Sequence, residues 1–143
     1  MKSEVTIKRA ELPTWTAELA AKLERPSVLR LMGEMGAGKT TLVRHLVQAL
    51  GGEDAADSPT YALINKYVLP SGPCYHVDLY RLENDDDLES IGFWDLFSED
   101  SALVIVEWAD RLPEDCFPPR WKVVNLEIKK DVNDSETRHL SLY

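Results

Sequence analysis

The stretch "GEMGAGKTT", Gly33 to Thr41, lies between the apolar run "SVLRLM" and the periodic "LVRHLVQALGG", and it admits few folds. Gly33, Gly38, Lys39 and Thr40 fit the pattern G-x-x-x-x-G-K-[ST]. Glycines let such a loop wrap so that successive backbone N–H groups point inward at phosphate oxygens, helped by the N-terminal end of the helix beginning near Lys39. The lysine reaches the β and γ phosphates, and the Thr40 hydroxyl is a Mg²⁺ ligand. Hydrogen bonds to charged groups contribute about 1.5 to 3 kcal/mol each, so about four or five aimed donors account for the roughly 8 kcal/mol of micromolar binding. A glycine-rich turn that contains Lys-Thr by chance is the competing reading. With Gly at about 7% of average usage, that coincidence is on the order of one per cent or less in a chain this short.

Such a loop needs a buried strand before it and a helix after it, and the flanks supply both. "SVLRLM" reads as a buried strand. Lys39 to Leu50 carries Leu42, Val43, Leu46, Val47 and Leu50 at helical spacing, with Gly51-Gly52 as its stop. Upstream, "EVTIK" alternates like a strand, and Trp15, Leu19 and Leu23 at spacing four predict a first helix. "YALINKYV" and "CYHVDLYRL" read as strands separated by the turn signals of "LPSGP". "ENDDDLESIGFWDLF" predicts a helix with an acidic first turn, and "ALVIVEW" a second buried strand. The tail, "WKVVNLEIKK" and "TRHLSLY", predicts a strand pair joined by "DVNDSE". Alternating strands and helices make the chain α/β with an antiparallel supplement.

The 143 residues fit one domain spanning 1–143, with no repeat or long linker. A formal net charge of −9 argues against DNA or other naked nucleic acid as the main ligand and favours a protein partner. No stretch has the length or apolarity of a signal peptide or a membrane span, so a cytoplasmic location and no membrane partner are expected. Cys74 and Cys116 are expected to be free thiols.

A nucleotide loop also needs carboxylates to organise Mg²⁺ and water. Glu107 closes the apolar "LVIV", and Asp78 holds a similar place in "YHVDLY"; the competing reading for each is a solvated strand-end acid. "NKYV", Asn65 to Val68, resembles a guanine reader, but valine replaces the required acid and the segment comes too early, so adenine is expected. Cys74, His76 and Asp78 at i, i+2 and i+4 share one strand face and are all able to ligate zinc. Without a fourth ligand nearby, a half-buried strand is the preferred reading. Asp85 to Asp87 reads as a solvated helix start rather than a dock for a basic partner.

Taken together and in this order, "GEMGAGKTTLVRHL", "SPTYALINKY", "YHVDLYRL", "LESIGFWDLF" and "VEWADRLPE" resemble the bacterial TsaE (YjeE) family, from Gly33 to about Pro118. The resemblance implies a P-loop NTPase-like three-layer domain with a mixed, mainly parallel central sheet. It implies an ATPase, using ATP/ADP and Mg²⁺, that supports formation of N6-threonylcarbamoyladenosine at position 37 of ANN-reading tRNAs. The implied partners are TsaD-like and TsaB-like proteins, which carry the transfer chemistry, with tRNA reached indirectly through the complex. By motif, Glu34, Met35, Gly36, Ala37, Gly38, Lys39, Thr40 and Thr41 cradle the phosphates. Thr60 acts like a switch residue near the γ phosphate, and Asp78 and Glu107 complete the metal and water site. Trp108 lies beside the nucleotide or partner surface, or in the core.

Two other classes use the same loop. A small-molecule kinase needs a mobile lid carrying several arginines, whereas Arg81 and Arg111 are isolated here. A binding module would use nucleotide only to order a docking surface, with little turnover. With no obvious internal arginine finger, slow turnover alone and activation by a partner are expected.

Overall fold

Alternating side chains along the strands decide which face of the sheet each residue feeds, and so where the phosphate loop lands. The computed structural model describes residues 3–34, 36–52, 64–79, 88, 92–108, 112 and 114–143. Within them the strands are β1 (Ser3–Lys8), β2 (Ser27–Met32), β3 (Ile64–Leu69), β4 (Gly72–Asp78), β5 (Leu103–Glu107), β6 (Lys122–Lys130) and β7 (Thr137–Leu142). The helices are α1 (Leu12–Lys22) and α2 (Lys39–Ala49).

The seven strands form one sheet in the order β1-β7-β6-β2-β5-β4-β3. β2 pairs in parallel with both β5 and β6, and β5 with β4. The flanking pairs β3–β4, β6–β7 and β1–β7 are antiparallel. This is the α/β arrangement that the sequence predicts, with a parallel centre and antiparallel flanks.

Odd positions of β2 and β5, Leu29, Leu31, Leu103 and Ile105, pack with Leu42, Leu46 and Val47 of α2 and Leu12 and Leu19 of α1. Even positions, Val28, Val104 and Val106, face a second core built with Phe93, Phe97, Phe117 and Trp121. Covering both faces explains why β5 is buried along its whole length and reads as a continuous apolar run. α2 ends where its glycines predict, with the Gly51 and Gly52 N–H groups capping the carbonyls of Gln48 and Val47.

Two expectations change. β4 is not half-buried: Cys74, Tyr75, His76 and Val77 are all buried, because the strand lies inside the sheet between β5 and β3 with a core on each face. Of the helix expected from "ENDDDLESIGFWDLF", most lies outside the described residues. Its end, Phe93–Ser98, winds as a tighter 3-10 segment that packs Phe97 against Phe117 and Trp121. No described helix is long and apolar enough to cross a membrane.

Parallel pairing brings the C-terminal ends of β2, β4, β5 and β6 to one edge of the sheet. β7 runs the other way, so its first residues, Thr137 and Arg138, start at that edge; β1, antiparallel to β7, ends there at Lys8. In open α/β sheets that edge is where ligands bind.

Candidate functional site

The phosphate loop leaves β2 at that edge and must pass close under β6. A Cβ on Gly33 would lie 2.6 Å from the Ile128 carbonyl oxygen, so only glycine fits. Gly38, with φ +108°, takes the left-handed conformation that turns the chain into α2. The Ala37 N–H bonds the Glu34 carbonyl across the turn, and the Leu42 N–H starts the helix on the Gly38 carbonyl. The N-terminal N–H groups of α2 thus open onto a cleft of about 460 Å³.

Three walls enclose the cleft. Gly36, Ala37, Gly38, Lys39, Thr40 and Thr41 form the loop side; Asp78, Glu107 and Trp108 come from the ends of β4 and β5. Facing them are Arg9, Leu12, Ile128, Lys130 and Arg138. Four basic and two acidic side chains therefore line it, in a chain whose net charge is −9. The local positive excess attracts an anion with several charges, while the two acids leave room for a divalent cation.

Lys39 is buried at the mouth of the loop. Its Nζ donates to the Gly33 carbonyl at 2.5 Å and lies 3.9 Å from the centroid of the Trp108 ring. Trp108 is the one non-glycine residue with positive φ, +59°, among the described residues. That backbone conformation costs energy for a bulky side chain and marks a position held by its surroundings. Trp108 joins the second core and also lines the cleft, so the two readings of this residue merge.

Glu107 is not a solvated strand-end acid. It is 2% exposed, and its Oε2 lies 2.5 Å from Nε2 of the fully buried His76. Asp78 is its register partner on β4, half-buried at the cleft rim, and the Leu79 N–H bonds the Glu107 carbonyl across the same junction. Cys74, a further rung inward, stays in the core: burial pushes its thiol up to about 12. The face shared by Cys74, His76 and Asp78 thus serves a hydrogen bond to Glu107.

Of the remaining expected residues, Glu34 is exposed and lines a neighbouring groove with Met32, Glu127 and Lys129 instead of the cleft itself. Met35 and Thr60 lie outside the described residues, as do Arg81, Arg111 and Asp85 to Asp87. Asn65 and Lys66 sit in edge strand β3 and take no part in the cleft lining.

Arg9, Lys130 and Arg138 are the residues that sequence reasoning missed. Arg138 is 5% exposed; its Nε donates to the Ala37 carbonyl at 2.9 Å, and its Nη1 to those of Ser135 at 2.7 Å and Thr137 at 3.0 Å. It ties the last strand to the phosphate loop. A signal for it existed: Leu126, Ile128 and Lys130, like Arg138, Leu140 and Leu142, form period-two stripes in which a cation takes the place of an apolar residue.

Residues 6–140 match the family model described as "Threonylcarbamoyl adenosine biosynthesis protein TsaE". A protein of Haemophilus influenzae named tRNA threonylcarbamoyladenosine biosynthesis protein TsaE is 36% identical over 122 residues, which is 84% of this chain and 76% of that protein. The Streptomyces coelicolor protein of the same name is 36% identical over 129 residues, 87% of this chain and 84% of the relative. A Nostoc relative, also so named, is 40% identical over 97 residues, 66% of this chain and 60% of its own length. The crystal structure of Bacillus subtilis YdiB superposes with a TM-score of 0.64 at 27% identity, covering 99% of this chain and 86% of that one.

Proposed function

The chain belongs to the TsaE family, and from that membership we propose that it binds and hydrolyses ATP in support of tRNA threonylcarbamoyladenosine biosynthesis. One arrangement carries the reading: Lys39, Asp78, Glu107 and Trp108 converge on a single cleft at the N-terminus of the helix that follows the phosphate loop. The cleft has the parts that phosphoryl transfer requires, namely backbone donors for phosphate, a lysine, a hydroxyl and two carboxylates.

ATP enters with its phosphates along the loop, where the N–H groups of Gly36, Gly38, Lys39 and Thr40 donate to the oxygens and Lys39 exchanges the Gly33 carbonyl for phosphate, the Ala37 N–H staying on the Glu34 carbonyl. Thr40 and Asp78, with Glu107, are the residues that would hold Mg²⁺, which when bound neutralises charge on the phosphate oxygens. Glu107 accepts a hydrogen bond from the attacking water and orients it in line with the bond to be broken. Trp108 closes the cleft beside Lys39 and excludes solvent. Arg138 and Lys130 add positive charge from the β6–β7 side, and Arg138 holds the loop at Ala37.

In the assembled pathway, TsaD-like and TsaB-like partners carry the transfer to adenosine 37 of ANN-reading tRNAs, and hydrolysis here supports their turnover. Phosphate release and product analysis with Mg-ATP, with and without that pair, test the proposal. Expected are ADP and free phosphate, released slowly by the protein alone and faster with the pair. A phosphorylated acceptor would indicate a kinase instead, and nucleotide-dependent assembly without phosphate release would indicate a binding module.

A further inference from the structure

His76 is the buried polar group at this site that the hydrolysis scheme leaves unused. It stands on β4 opposite Ile105, on the helix-covered face, with none of its surface exposed. From there its Nε2 reaches Oε2 of Glu107 at 2.5 Å, from inside the sheet, while Asp78, the register partner of Glu107, also lines the cleft. The other ring nitrogen, Nδ1, is buried and has no hydrogen-bond partner among the described residues. A buried N–H left without an acceptor is costly, so the tautomer that fits carries its proton on Nε2 and leaves Nδ1 as a bare lone pair. Nε2–H therefore donates to Glu107.

We propose that His76 is a positioning residue that holds Oε2 of Glu107 and so fixes the carboxylate, leaving Oε1 as the oxygen that serves water or metal in the cleft. Glu107 ends its strand, and a glutamate there has three rotatable side-chain bonds. Without an internal anchor its carboxylate would sample several rotamers, and misplacement by about 1 Å is enough to cost on the order of 10²-fold in rate. Outer partners of functional groups typically matter by about 10 to 100-fold. The inference rests on the ATPase reading above.

The test is a double-mutant cycle on Mg-ATP hydrolysis, run with the TsaD-like and TsaB-like pair present. His76→Leu should lower kcat by about 10 to 100-fold while KM for Mg-ATP stays within about threefold. His76→Gln, whose amide can present a donor near the Nε2 position, should recover most of the rate; His76→Asn, too short to reach, should not. Placed on Glu107→Gln, His76→Leu should cost less than about threefold more, because its effect passes through that carboxylate. An equal loss on both backgrounds would overturn the inference, as would a His76→Gln variant no better than His76→Asn. Should His76→Leu fail to fold, the Gln–Asn contrast, made on proteins with matching circular dichroism, decides alone. No phosphate release by the unmodified protein with its partners would overturn the ATPase reading and this inference together. A wrong variant pattern with an active parent overturns only the inference.

Discussion

At the scale of single residues, the two carboxylates divide by burial. Glu107 is held inside against His76, whereas Asp78 sits half-buried at the rim. Glu107→Gln should therefore bind Mg-ATP within about threefold of the parent yet lose roughly 100-fold or more in hydrolysis. Asp78→Asn should shift the Mg²⁺ concentration for half-maximal turnover upward by about tenfold. Calorimetry and phosphate release under a Mg²⁺ titration check both; near-parental turnover in the two variants would return them to the status of ordinary strand-end acids. Both positions were legible in the sequence, since an acid that ends a run such as "LVIVE" stands at the C-terminal edge of a parallel strand. His76 was not, because period-two spacing places it on a face but says nothing about which neighbour fills the space opposite. That neighbour lies 31 residues away, on a strand whose pairing partner the spacing alone does not name.

At the scale of elements, the phosphate loop depends on the end of the chain. β2, α2, β5 and the β6–β7 pair were all readable from apolar periodicity, within a residue or two of their bounds. The insertion of β7 between β1 and β6 was not, because local pattern carries no information on which distant strands pair. That insertion is what brings Arg138 beneath the loop. Arg138→Ala removes a charge-assisted bond to the Ala37 carbonyl and a cation from the cleft, so ATP should bind about tenfold or more weakly, with Arg138→Lys intermediate. Unchanged affinity in calorimetry would confine Arg138 to a structural role. The β6–β7 connection itself is knit by carboxylates. Lys8, at 2.5 Å, and the Glu136 N–H hold the Asp134 carboxyl well below the usual range, and His139 and the Asn133 N–H lower Asp131. A depressed folded pKa contributes stability that is present above the ordinary carboxylate value of about 3.9 and is lost as pH falls toward the folded value. Asp134→Asn should accordingly lower the urea midpoint at pH about 7 and show a shallower loss on acidification to pH about 3. Parallel curves for variant and parent would show that this network adds nothing.

At the scale of the whole molecule, an acidic protein concentrates positive charge in one place. The net charge of −9 disfavours a polyanion across the general surface, while Arg9, Lys39, Lys130 and Arg138 meet in one cleft that suits a compact triphosphate. The same acidic balance favours protein partners over naked nucleic acid, which fits the helper role proposed above. ATP is proposed to bind in this cleft, with Lys39 on its phosphates. Isothermal titration of Mg-ATP into the parent protein and into Lys39→Ala tests it most directly, with circular dichroism to show that both are folded. Expected are a dissociation constant on the order of micromolar for the parent and at least about 100-fold weaker binding for the variant. Equal affinity in two folded proteins would contradict it.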